Sequence, residues 1–150
     1  MAKKTGKLKV LIVDDSTAVQ AIYKHGFRMM RNPYEVIMIS NGDDAINFIK
    51  DEKEDAILAV LLDIAIPGDN GLEVIRKVRA LDNARSLIPV IAVTNNAEKL
   101  EIETYKAIGF NGFVEKPFDF NEIAALLPKV EKGELGNFFA IRTIKDEDAL

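Results

Sequence analysis

A chain of 150 residues has room for one compact domain with a hydrophobic core, and 48% apolar with 29% charged residues is the balance of a globular protein. A net charge of -4 leaves no basic surplus to neutralise phosphates, which argues against direct nucleic-acid binding. With no cysteine there is no disulfide frame, thiol nucleophile or Cys-based metal site, a composition compatible with a cytoplasmic location. No apolar run approaches the roughly 18–20 residues that span a bilayer, and Met1 to Lys7 lacks the apolar stretch of a signal peptide, so no membrane insertion is expected.

In chain order, Leu8 to Val13 is a β-branched run ending in Asp14-Asp15-Ser16, which predicts a strand followed by a helix cap at Ser16. From Thr17 to about Met30, Val19, Ile22, Tyr23, Phe27 and Met30 recur at helical spacing, and Asn32-Pro33 ends that helix. Tyr34 to Ile39 is a second strand, Asn41-Gly42 a turn, and Ala45, Ile46, Phe48 and Ile49 one face of a second helix. Lys50 to Asp55 reads as a solvated connection. Ile57 to Leu62 holds no polar residue, as expected of a strand buried on both faces of a parallel sheet, and it ends in Asp63. Pro67-Gly68 and Asn70-Gly71 turn the chain into a helix from about Leu72 to Leu81. Pro89 to Thr94 is a fourth strand, Ala97 to Ile108 a polar-rich helix stopped by Gly109, and Gly112 to Val114 a short fifth strand running into Lys116-Pro117-Phe118. Asp119 caps a last helix carrying Ile123, Leu126, Leu127 and Val130.

Strands alternating with helices five times over predict an α/β fold, a doubly wound five-stranded parallel sheet with helices on both faces. Crossovers in such sheets are right-handed, so helices reach both faces only if the winding reverses at a switch point. Parallel strands bring their carboxyl ends to one edge, which collects Asp14, Asp15, Asp63, Thr94 and Lys116. Taken alone, Asp63 reads equally as a loop-capping carboxylate. Three carboxylates together repel unless a cation sits among them, and oxygen ligands without His or Cys select Mg²⁺ or a similar divalent ion. Between that ion and the Lys116 ammonium, a phosphoryl group arriving at Asp63 would be neutralised, with Thr94 placed to donate a hydrogen bond.

The chain resembles the receiver domain of two-component response regulators, of which the single-domain chemotaxis regulator is the best-known type. The likeness runs from about Lys7 to Val130 and rests on Val13-Asp14-Asp15-Ser16, on Leu62-Asp63-Ile64-Ala65-Ile66-Pro67-Gly68 with Gly71, on Val93-Thr94, and on Phe113-Val114-Glu115-Lys116-Pro117-Phe118. The resemblance implies the flavodoxin-like strand order 2-1-3-4-5. It implies that Asp63 accepts phosphate from a histidine kinase or phosphotransfer protein. Asp14, Asp15, Asp63 and the Ala65 backbone carbonyl would hold Mg²⁺ (or Mn²⁺), and Thr94 and Lys116 would contact the phosphoryl group. Phe113 matches an aromatic switch coupled to Thr94, with a static core aromatic as the plainer reading. The face formed by Ala97 to Val130 would meet a downstream protein, in a monomer or a phosphorylation-dependent dimer.

Departures from the family pattern fall at Ala65, often a polar or long side chain, and at Asn95-Asn96, where a small residue usually follows the threonine. Both predict altered rates of phosphotransfer and hydrolysis. Residues 1–6 form an N-terminal tail, 7–130 the receiver, and 131–150 an extension outside the resemblance, either a frayed tail or an arm docking through Phe138 and Phe139. His25 has no expected catalytic part. Two other functions fit less well: an interaction module that never takes phosphate, and a dehalogenase-like phosphatase, which needs a second acid where this chain has Ala65, or Ser16 if Asp14 were the nucleophile.

Overall fold

A computed structural model describes residues 6–31, 33–52, 56–66, 70–82, 84–95, 102–136 and 139–141. Strands β1 (Lys9–Val13), β2 (Glu35–Ile39), β3 (Ile57–Asp63), β4 (Val90–Thr94), β5 (Gly112–Glu115) and β6 (Phe139–Ile141) alternate with helices α1 (Thr17–Met29), α2 (Gly42–Asp51), α3 (Gly71–Arg79), α4 (Ile102–Ile108) and α5 (Phe120–Glu131). All pairings are parallel and the order is β2-β1-β3-β4-β5-β6. The expected order 2-1-3-4-5 is present, and one strand more than expected is added beside β5.

Side-chain alternation along the strands feeds two cores. Val10, Ile12, Leu61, Ile91, Val93 and Val114 meet Tyr23 and Phe27 of α1 and Ile123, Leu126 and Leu127 of α5. Leu11, Val13, Val60, Leu62, Val90 and Ala92 meet α2 and α3 on the other face, with Tyr105 of α4. Every residue of β3 and β4 is buried, which is why both read as uninterrupted apolar runs.

Caps set where the helices begin. Ser16 Oγ accepts from the Val19 amide, Asn41 from Asp44, and Asn70 from Leu72 and Glu73, while Asp119 and Glu122 form a reciprocal capping box. Asn41-Gly42 and Asn70-Gly71, expected as turns, are thus the first residues of helices. At α3 the glycine is obligatory, because a Cβ on Gly71 would lie 2.5 Å from the Ile64 Cα. The start of α3 therefore rests directly on the loop after Asp63.

Two other expectations change. Glu52, placed in a solvated connection, is only 7% exposed and pairs with Lys9 Nζ at 2.8 Å, a partner 43 residues away. Ile22, placed on the core face of α1, is 45% exposed. In the extension, Phe139–Ile141 continues the sheet, with Ala140 opposite Phe113. Gly133 and Gly136, both at positive φ, turn the chain from α5 back towards it. Pro67-Gly68, Asn96 to Ala97 and Phe138 lie outside the described residues.

Arg79 ties the far end of the sheet together. Its guanidinium donates to the carbonyls of Ser86, Ile88 and Gly109 and to Asn111 Oδ1, joining α3 to the entries of β4 and β5. Burial lowers its pKa. Substitution Arg79→Met would strand these acceptors and is expected to cost about 2–4 kcal/mol in urea unfolding. A tighter contact joins α1 to α5, where a Cβ on Gly26 would fall 2.2 Å from the Phe120 ring. Gly26→Ala should lower the unfolding free energy by roughly 1–3 kcal/mol despite its better helix propensity; an unchanged or higher value would show that the ring has room to move.

Candidate functional site

The winding reverses between β1 and β3, and the carboxyl ends of those two strands carry the acids. Asp14 follows β1 directly. Its amide donates to the Ile39 carbonyl at 2.9 Å, and its Oδ1 accepts from the Ser16 amide at 2.9 Å. Asp63 closes β3, and its Oδ1 accepts from the Ala65 amide at 3.0 Å, so the loop-capping role expected of a lone aspartate is also filled. Asp14 and Asp63 are buried and Asp15 is exposed, yet carboxylate oxygens of all three lie within 4.8 Å of one another.

Lys116 arrives from β5. Its amide donates to the Thr94 carbonyl at 2.8 Å, and its Nζ donates to Asp14 Oδ2 at 2.9 Å and Asp63 Oδ2 at 3.2 Å. Burial pushes the lysine pKa down, but the hydrogen bond to Asp14 and the charges of Asp63 and Asp14 outweigh it, and the net shift is upward. Tyr23, buried beneath the acids, has its phenol pKa raised by burial and by Asp14 and Asp63.

Three carboxylates against one ammonium leave two negative charges, which is the charge of one divalent cation. The donors are all hard oxygen atoms, suited to Mg²⁺ or Mn²⁺. Beside them opens a cleft of about 490 Å³, lined by Asp63, Ala65, Thr94, Asn95 and Lys116 and walled by Val19, Ile22, Pro117 and Phe118.

The structure thus brings Asp14, Asp15, Asp63, Thr94, Lys116, Ala65 and Asn95 to one place. Phe113 is elsewhere, fully buried under α4 with its ring centroid 5.0 Å from Tyr105. Asn96 lies outside the described residues, and His25 is exposed on α1. Sequence reading missed Gln20, whose Nε2 donates to the Asp14 carbonyl at 2.6 Å. It also missed the cleft wall: Ile22 fits the apolar period of α1 but sits on its margin, a distinction periodicity alone does not make.

A family model described as the response regulator receiver domain matches residues 10–128. The chain belongs to the response regulator receiver domains. It is therefore a two-component signalling module, of a family that works with histidine kinases or phosphotransfer proteins and whose members are signalling devices rather than classical enzymes. One similar structure is the receiver domain of the sensor histidine kinase PA1611 from Pseudomonas aeruginosa PAO1, which has a magnesium ion coordinated in its active-site cleft. It is 26% identical, covers 83% of this chain and 97% of its own, and superposes with a TM-score of 0.71. The chemotaxis response regulator CheY4 of Vibrio cholerae is also 26% identical, with 83% and 99% coverage and a TM-score of 0.68. The bacteriophytochrome response regulator RtBRR, 25% identical with a TM-score of 0.69, covers 96% of this chain and 87% of its own. That last likeness runs well into residues 131–150. Among the described residues no helix is long and apolar enough to cross a membrane.

Because the Lys116 pKa lies above its ordinary 10.5, the stabilisation from its pairing is complete below pH 10.5 and is lost as pH rises through the higher folded-state value. Lys116→Met should therefore cost roughly 2 kcal/mol near pH 7, less than a fully buried pair because the cleft admits water. The difference from the unsubstituted protein should shrink above about pH 10.5. A gap that stays constant to the highest measurable pH would place the lysine's contribution in packing instead.

Proposed function

We propose that Asp63 accepts a phosphoryl group from the phosphohistidine of a histidine kinase or phosphotransfer protein, with Mg²⁺ or Mn²⁺ held by Asp14, Asp15, Asp63 and the Ala65 carbonyl. The observation that carries this reading is the position of Lys116 Nζ, hydrogen-bonded to Asp14 and Asp63 together at the mouth of an open cleft. A bound metal would draw charge from the transferring phosphoryl oxygens and relieve the repulsion among the acids.

The chain's own residues supply the rest. An Asp63 oxygen attacks phosphorus as the bond to the donor nitrogen breaks, and the nitrogen keeps the electron pair. The Ala65 amide fixes the Asp63 carboxylate, so little reorganisation remains at the moment of transfer. Lys116 exchanges its contact with Asp14 for the incoming phosphoryl oxygens, and the Thr94 hydroxyl donates to another. Movement of Thr94 would release or recruit Phe113, which projects from β5 onto Tyr105.

We assign residues 7–130 to the receiver and 131–150 to an extension of it. The output surface is the face of 97–130 built on α4, β5 and α5, and β6 now lies along its central strand. The module is cytoplasmic, and its output is carried by a protein partner. A phosphatase of the dehalogenase type is disfavoured by Ala65, which offers no acid or base. A module that binds without phosphorylation is disfavoured by the complete set of acids, hydroxyl and lysine at the cleft.

Incubation with acetyl phosphate and Mg²⁺, read by intact mass, should add one phosphate to the protein and none to Asp63→Asn. No gain in either, or equal gain in both, would contradict the assignment. Hydrolysis of the phosphorylated form should differ from that of fast chemotaxis-type regulators, and Asn95→Ala should change its rate constant. A typical rate left unmoved by that substitution would remove Asn95 from the account.

A further inference from the structure

We infer that Gln20 is the positioning residue of the metal site, acting through the peptide between Asp14 and Asp15 without touching the ion. This rests on the metal-binding reading above. Gln20 lies one turn into α1, where its amide donates to the Ser16 carbonyl at 2.9 Å. Helical side chains lean towards the N-terminus, and this one reaches back far enough for Nε2 to donate to the Asp14 carbonyl at 2.6 Å and to Ser40 Oγ at 3.4 Å. A carbonyl only accepts, so the amide nitrogen of Gln20 must be the atom that faces it.

Asp14 is thereby held on both sides of its backbone. Its N–H is bonded to the Ile39 carbonyl at the end of β2, and its C=O to Gln20. The plane of the next peptide fixes where the Asp15 Cα, and hence its exposed carboxylate, can point. Lys116, the cationic tether between Asp14 and Asp63, leaves Asp14 Oδ2 when it turns to the phosphoryl oxygens. What then keeps Asp14 and Asp15 converged is the Ser16 amide on Asp14 Oδ1 together with the main-chain clamp. Partners that orient ligands in this way commonly contribute 10–100-fold in metal affinity.

The test is Mn²⁺ binding to the full chain, with free Mn²⁺ followed by electron paramagnetic resonance, for the unsubstituted protein, Gln20→Leu and Gln20→Glu. Leucine keeps the bulk and helix propensity and removes the donor. Glutamate keeps the shape, adds a negative charge near the site and also removes the donor. A positioning role predicts about tenfold weaker binding in both. A purely electrostatic role predicts tighter binding in Gln20→Glu. Metal-free melting temperatures within a few degrees of one another would separate this effect from a general loss of folding. If either variant binds Mn²⁺ as tightly as the unsubstituted protein, or tighter, the inference is overturned while the metal site stands. If the unsubstituted protein binds no Mn²⁺, the metal reading and the inference fall together.

Discussion

One ammonium holds the site in its resting form. Lys116 Nζ reaches two carboxylates brought together from β1 and β3, residues 102 and 53 positions earlier in the chain. Without it, three acids would converge at the switch point of the sheet with no ammonium to offset their repulsion. The sheet is what makes this convergence unavoidable. Parallel strands end on one edge, the winding reverses between β1 and β3, and those two strands carry the acids. The acids cannot drift apart without disturbing the strands, so their mutual repulsion is available for a divalent cation to relieve.

The rest of the molecule keeps that geometry stiff. Gly71 lets α3 start against the loop following Asp63, and Gly26 lets the Phe120 ring of α5 sink onto α1. Arg79 secures the opposite, amino-terminal end of β4 and β5 through the carbonyls of Ser86, Ile88 and Gly109 and through Asn111 Oδ1. Beneath α4, Tyr105 packs on both Phe113 and Phe110, which places the aromatic expected to switch inside a small ring cluster of its own. β6 adds a strand to β5, so a conformational change reaching Phe113 would act on a strand paired on both sides.

Much of this was legible in the sequence because burial on both faces erases polarity from a strand. The runs ending at Val13, Asp63 and Thr94 needed no periodicity to be recognised, and the polar residue that interrupts each one marked the functional edge. The failures have a common cause in distant partners. Glu52 sits in a charged stretch that reads as solvated, yet Lys9 neutralises it from the start of the chain. Phe139–Ile141 is too short to show alternation and is a strand only because the edge of β5 is there to pair with. Ile22 has the spacing of a core residue and lies instead on the wall of the cleft. Gln20 carried no signal at all, since its role depends on a main-chain carbonyl that no pattern of side chains reveals.

The central claim is the proposal that Lys116, which bridges Asp14 and Asp63 at rest, gives up Asp14 to pair with the phosphoryl group once Asp63 carries it. A crystal structure of the chain with Mg²⁺ and beryllofluoride tests it most directly. The account predicts the fluoride adduct on Asp63, the metal among Asp14, Asp15 and Asp63, and Lys116 Nζ bonded to fluoride and no longer to Asp14 Oδ2. An adduct on Asp63 with Lys116 still bonded to Asp14, or no adduct there at all, would contradict it.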